Sequence, residues 1–275
     1  KQLDYADYID PETEIFDTEK FARELTRADR TLLGIEQLNW LKQRLNNSQG
    51  EWQVLGQQVL MGRMHLPAAI ATQQLKISEF RELTQVANIA DRLEDNDLGI
   101  TDSEMTFYEA NKARLTPEVT AKLQLPSIPY NLDAWDGYPS EREQILAAAM
   151  ESARNLIVLS GDTHNAWANH LKGQNDKVAG VEFATPSVSS PGLEKYLGIE
   201  ESDIPEMEAD ILALINDLQY CNASDRGFMT VRFSESKATA TWHFVDTINS
   251  RHYREKDARK TTIEFIPNKG ALTTF

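Results

Sequence analysis

The order of periodic segments in this 275-residue chain predicts an α/β protein, layered, with a mixed β-sheet flanked by helices. Three observations carry that expectation. An amphipathic helical stretch leads into a short Val/Leu-rich strand, and a second helix leads into the continuous apolar run Asn155–Ser160. Two alternating segments, 228–233 and 238–245, then read as a hairpin.

The segment 1–28 is acidic with scattered aromatics, has no basic-plus-apolar leader pattern, and is expected to be an arm or linker. Residues 29–47 place Leu38, Leu41 and Leu45 on one helical face, and Gly50 closes that region. The run 52–61 reads as a buried strand. Residues 65–125 are polar, with weak helical periodicity, and are expected to form a helical insertion. Prolines and a glycine make 127–139 a loop. Ser140 with Glu143 predicts a capping box ahead of a helix over 145–153. The run Asn155–Ser160 is a strand buried on both faces. A further strand is expected at 180–184, a polar loop at 185–192, and a helix over 203–219. The hairpin turns near 234–237, and 251–275 is a tail. The body of the fold is expected over 29–250.

Hydrophobic residues make up 41% and charged residues 26%, values of an ordinary globular protein rather than a disordered one. The net charge of −15 disfavours broad nucleic-acid or anionic-membrane binding, which requires Lys and Arg to displace counterions. The single cysteine, Cys221, has no internal disulfide partner and is expected to be a packed thiol. No apolar run approaches the ~18 residues of a membrane span.

Chemistry concentrates in Leu159-Ser160-Gly161-Asp162-Thr163-His164-Asn165. A buried strand ends, a glycine lets the backbone turn, and a carboxylate and an imidazole follow two residues apart. Side chains at the C-terminal tip of such a strand project into the crevice where α/β ligands bind. In an extended segment positions i and i+2 share a direction, so Asp162 and His164 are expected to address one ion or two adjacent ions. Zn, Fe and Mn accept both donor types. Asn165 and His170 are near enough to add a ligand or a phosphate contact. Two alternatives stand beside ligation. Asp162 could cap the turn while His164 makes one hydrogen bond, or the two could form a metal-free acid–base pair. A serine nucleophile is not offered, because Ser160 lacks the Gly-x-Ser-x-Gly elbow.

Several motifs in order resemble the C-terminal half of PhoD-type alkaline phosphatases, within the wider metallophosphoesterase group. They are 33–41 (LGIEQLNWL), 52–58 (WQVLGQQ), 133–139 (DAWDGYP) with Arg142, 161–164 (GDTH), 185–192 (TPSVSSPG) and 225–227 (DRG). The resemblance implies a layered metallophosphoesterase-like fold, incomplete without an N-terminal half. It implies hydrolysis of phosphate mono- or diesters with Fe and Ca, or with Zn or Mn. Asp162 and His164 match the family's late ligand motif and are implied to be the catalytic metal ligands. Asp133, Trp135 and Asp136 match a signature loop that is structural or substrate-proximal, so Asp133 and Asp136 join Asn165, which is offered by its closeness to the turn, as the expected substrate contacts. The hydroxyls and amides of 185–192 could meet an anion or simply form a tight turn. The family's early metal motifs do not occur here, so the implied partners are an N-terminal half of the same protein or a second copy, with the parent periplasmic or secreted. The rival is a truncated or decayed phosphatase fold that acts as a non-catalytic binding or scaffold module.

Overall fold

A strand flanked by strands on both edges and by packed layers on both faces is favoured to be largely apolar, and Leu156–Leu159 within the run Asn155–Ser160 meets that condition. The computed structural model describes residues 2–152, 154–267 and 271–274. In chain order, helices α1 (Thr18–Leu25) and α2 (Ile35–Asn46) precede strands β1 (Trp52–Gly56) and β2 (His65–Pro67). Helices α3 (Ala68–Ala71), α4 (Ile77–Glu94), α5 (Asp102–Asn111) and α6 (Pro117–Leu123) follow, then β3 (Ser127–Pro129), α7 (Pro139–Glu151) and β4 (Asn155–Ser160). The remainder is β5 (Ala166–Lys172), β6 (Val178–Ala184), α8 (Leu193–Tyr196), α9 (Ile204–Leu214), β7 (Leu218–Asn222), β8 (Arg226–Phe233), β9 (Ala238–Val245), β10 (Thr261–Ile266) and β11 (Ala271–Thr274).

The chain divides into two compact units. The larger comprises Leu25–Met64 and Asn131–Phe275. Its central sheet has the order β1-β4-β6-β5-β7, with β1, β4 and β6 parallel and β5 antiparallel to both its neighbours. A second sheet, β11-β10-β9-β8, is wholly antiparallel. Ile157, Ala166, Ala168, Val181 and Phe183 on one face of the central sheet pack against Ala238, Ala240, Trp242, Phe244, Ile263 and Phe265 of the second. On the opposite face, Leu156, Val158 and Leu171 receive Leu38, Leu41 and Leu45 from α2 and Ile145, Leu146, Ala148 and Ala149 from α7. The expected mixed sheet flanked by helices is therefore present, with a second sheet as a third layer.

The smaller unit comprises Lys1–Glu24 and His65–Tyr130. Helix α4 buries Phe80, Leu83, Val86 and Ile89 along one stripe. Helix α5 starts from a complete capping box at Thr101 and Glu104. Residues 1–28, expected as an arm, hold α1 and bury Tyr8, Phe16 and Phe21. The Phe21 ring lies 5.2 Å from both of the other two.

Several local expectations are corrected. Helix α7 begins at Pro139, whose fixed φ suits a first helical position, so Ser140 is inside the helix and donates to the Thr26 carbonyl at 2.7 Å. Glu143 pairs with Arg142 at 2.9 Å instead of closing a capping box. The strand expected over 52–61 stops at Gly56, because residues 57–64 are held away by side-chain anchors. The helix expected over 203–219 ends at Leu214, and β7 takes the rest. In 251–275, expected as a tail, β10 pairs with β9. Strand β5 was not expected at all; Asn169 and His170 disguise it.

Candidate functional site

The last residue of β4, Ser160, donates its hydroxyl to Glu182 Oε1 at 2.8 Å, and its carbonyl accepts Thr185 N–H at 2.9 Å. Gly161 N–H reaches the Gln58 carbonyl at 2.9 Å. Between these anchors the chain turns tightly, with Thr163 N–H on the Gly161 carbonyl at 2.8 Å. Asp162 and His164 both take left-handed conformations, φ 67° and 64°. The extended segment expected here is thus corrected: the two residues share a turn, not a strand face. Each non-glycine residue in this region costs about 1 kcal/mol, and the surrounding anchors hold them there. Asp162 is exposed and His164 half-buried.

His164 Nδ1 lies 2.7 Å from the Pro191 carbonyl oxygen. A carbonyl only accepts, so Nδ1 carries a proton, and in the neutral ring the lone pair lies on Nε2. The His164 carbonyl accepts Ser187 N–H at 3.2 Å, and the Ser187 carbonyl accepts Gly227 N–H at 3.0 Å. Ser187 Oγ accepts the amides of Ser189 (3.1 Å) and Ser190 (2.6 Å), so the loop 185–192 closes on itself and keeps those groups occupied. The segments 161–165, 185–192 and 225–227, far apart in sequence, form one hydrogen-bonded assembly. Asn165 belongs to its interior: it is 1% exposed and donates Nδ2 to the Ala223 carbonyl at 2.7 Å. The residue expected to meet substrate thus also ties this turn to the segment after β7.

Asp225 accepts from Lys256 Nζ (2.7 Å), Arg259 Nε (2.7 Å) and Asn222 Nδ2 (2.8 Å). Burial alone would raise its pKa, but these three donors outweigh it and hold the carboxyl below its ordinary value. Arg259 in turn forks onto Glu208 at 2.8 and 2.9 Å, tying α9 to the same junction.

The loop 57–64 flanks the turn and is clamped by side chains from three elements. Glu182, fully buried in β6, accepts the amides of Met61 and Gly62, both at 2.7 Å. Burial pushes its pKa up, against the pull of those donors. Arg142 Nε donates to the Met61 carbonyl at 2.6 Å. From the signature loop, Trp135 N–H reaches the Leu60 carbonyl at 3.1 Å and Trp135 Nε1 reaches Gln57 Oε1 at 2.8 Å. Asp136, 4% exposed, accepts Met64 N–H at 2.6 Å. Asp136, expected as a substrate contact, thus serves this clamp. Asp133 is exposed.

His170 lies along β5, with its amide on the Asp217 carbonyl at 2.9 Å. Its Nε2 is buried without a hydrogen-bond partner among the described residues, and burial, reinforced by Lys172, lowers its pKa. Among the described residues no three His, Cys, Asp or Glu side chains converge in a metal-binding group. A catalytic transition-metal site usually takes three protein ligands and keeps an open position. The donor set fits part of such a site: an exposed carboxylate, and an imidazole whose other nitrogen is tied to a carbonyl, the arrangement of most metal-bound histidines. Glu182, Glu194 and Ala223 are not singled out by the sequence, and Pro191 is marked only as part of the 185–192 motif. Of the first three, only Glu182 carried a signal, a lone acid inside the apolar run of β6.

Residues 2–242 match the model of the PhoD-like phosphatase family. Alkaline phosphatase D of Bacillus subtilis (strain 168) is 25% identical over 195 residues, which is 69% of this chain and 24% of that protein. The chain thus spans about a quarter of the length of the curated relative it matches. The solved structure of PhoD superposes with a TM-score of 0.58 at 20% identity, over 92% of this chain and 36% of that one. At that identity the likeness is one of fold.

Proposed function

The chain belongs to the PhoD-like phosphatase family, and on that premise we propose that it supplies Asp162 and His164 as metal ligands for the hydrolysis of phosphate mono- or diesters. The observation that carries this reading is the His164 Nδ1–H bond to the Pro191 carbonyl, which leaves Nε2 for a ligand role on the same turn as the exposed Asp162. Bound Fe and Ca, or Zn or Mn in their place, would polarise the phosphate oxygens and generate the attacking oxygen. His164 presents its lone pair and Asp162 its carboxylate. Asn165 and Asp136 hold the flanking loops as well, and Asp133, exposed in the signature loop, is the aspartate we assign to the substrate side. The remaining ligands come from an N-terminal half of the same protein or from a second copy, and the setting of the parent is periplasmic or secreted. No helix among the described residues is long and apolar enough to cross a membrane.

The second reading, a non-catalytic module, is favoured by one observation: among the described residues no group of three or more metal-ligating side chains forms. Comparing His164→Ala with the unaltered sequence in the intact parent separates the two. Metal content and turnover of p-nitrophenyl phosphate and bis-p-nitrophenyl phosphate should both fall, turnover by at least about a hundredfold, as expected when a metal loses a strong ligand. Turnover close to that of the unaltered protein removes His164 from the chemistry and leaves the module reading.

A further inference from the structure

Behind His164 lies a buried ion pair that the proposed function does not use. Glu194 is 6% exposed, and its Oε1 receives Arg226 Nη2 at 2.5 Å. Arg226 also donates through Nη1 to the Ser224 carbonyl, and its backbone is fixed by pairing with Val245 in the second sheet. The other carboxylate oxygen, Glu194 Oε2, is sealed from solvent and has no hydrogen-bond partner among the described residues. It packs against Gly192. A methyl group added there would lie 2.7 Å from Oε2, 2.6 Å from Asn165 Nδ2 and 2.8 Å from the Ala223 carbonyl. The Gly192 backbone is therefore wedged between the Glu194 carboxylate and the Asn165–Ala223 hydrogen bond. The residue just before it is Pro191, whose carbonyl receives His164 Nδ1–H.

From this packing we infer that Glu194 and Arg226 are a positioning pair. They fix Gly192, and with it the Pro191 carbonyl, so that His164 is held as the Nδ1–H tautomer with Nε2 presented outward. The inference rests on the reading of His164 as a ligand. A buried ion pair is weak support for stability, since apolar residues of similar volume often serve as well or better. A buried carboxylate with one oxygen unpaired is costlier still. What the pair does provide is a fixed charge and a fixed shape at one point of the loop 185–192. A neutral imidazole has two tautomers, and the bond made by one nitrogen selects which is present. The Pro191 carbonyl makes that selection only while the loop stands where Glu194 and Arg226 hold it.

The test reads the tautomer directly. Long-range 15N–1H correlation of the imidazoles in the labelled 275-residue chain is recorded at alkaline pH, where imidazoles are neutral. His164 is assigned by its disappearance in His164→Asn. The unaltered chain should show Nδ1–H alone, and Glu194→Ala should show both tautomers. Where Glu194→Ala does not fold, Glu194→Gln, which keeps the side-chain shape, is read in the same way. Lys256→Met removes an ion pair from the adjoining Asp225 cluster and should leave the tautomer unchanged, which separates positioning from general loosening. In the intact parent, Glu194→Ala should lower turnover about tenfold, the lower end for groups that support a metal ligand from behind. An unshifted tautomer in a folded Glu194 variant overturns the positioning pair, whatever the turnover. A shifted tautomer with unchanged turnover overturns the role of His164 in hydrolysis instead.

Discussion

Replacing Asp225 by Asn removes one charge from a cluster that joins β7, β8, α9 and the segment ahead of β10. The Asn side chain keeps one accepting oxygen, but its amide turns a donor toward Lys256 Nζ or Arg259 Nε, both 2.7 Å from the present carboxylate. Breaking a fully buried pair costs ~3–5 kcal/mol. Here the carboxylate is 6% exposed while the Lys256 and Arg259 side chains are 38% and 35% exposed, so water takes over part of the lost interaction. Arg259 also keeps Glu208. The expected loss is about 2 kcal/mol, or about 4–8 °C in Tm for a unit of this size. The loss should depend on pH in one direction. The folded-state pKa of Asp225 is depressed, so its stabilisation is present above the ordinary carboxylate pKa and is lost as pH falls through the folded value. Thermal melts of the two proteins should therefore differ at pH 7, and the difference should shrink progressively as pH falls below about 4. A Tm deficit that is the same at pH 7 and pH 3, or one under about 1 °C at pH 7, refutes the assignment.

Gly137→Ala should be among the costliest single methyl additions in the chain. Its Cβ would lie 1.9 Å from the Leu132 carbonyl oxygen, and the forced backbone shift should destabilise by about 2–3 kcal/mol in a urea titration. Gly56→Ala, with nothing within 4 Å, should stay within about 0.5 kcal/mol; equal midpoints for the two would remove the crowding argument. Glu182→Ala leaves the Met61 and Gly62 amides without their acceptor. Unsatisfied buried amides cost about 1–3 kcal/mol each, so the urea midpoint should fall substantially. An unchanged midpoint, with both amides still protected from hydrogen exchange, would show that another group satisfies them.

How far the fold was legible follows from what each segment is packed against. The bounds of β4 could be read because every residue from Leu156 to Val158 is buried, on two faces. The hairpin could be read because β9 buries Ala238, Ala240, Trp242 and Phe244 in strict alternation with half-exposed neighbours. The central sheet was less legible where polar side chains carry tertiary work. Asn169 turns inward from β5 to reach Glu182 at 3.3 Å, so a buried strand looks amphipathic at random. The end of α9 was hidden for a different reason: Ile215 and Leu218 continue its apolar spacing, and no glycine marks the stop. The Ser-x-x-Glu pattern at 140–143 pointed to a cap, but Pro139 sets the first turn and Ser140 is claimed by a carbonyl 114 residues away in sequence.

The site divides along the same line. That Gly161-Asp162-Thr163-His164 forms a turn at a strand end is local information. That Asp162 and His164 stand at φ 67° and 64° is not, because nothing in those residues alone prefers it. The preference arises from bonds to Gln58, Thr185, Ser187 and Pro191, on two loops that the sequence shows only as polar or Val/Leu-rich. Each of those loops meets a buried carboxylate: Glu182 accepts the Met61 and Gly62 amides of 57–64, and Glu194 packs against Gly192 of 185–192. A turn anchored from both sides, with Asp162 left exposed between the anchors, has its orientation fixed before any ion arrives. Preorganisation of that kind lowers the cost of binding at the moment it happens. On the proposed reading, such a turn would supply two preset donors to a larger ligand set, too few to hold a catalytic metal alone.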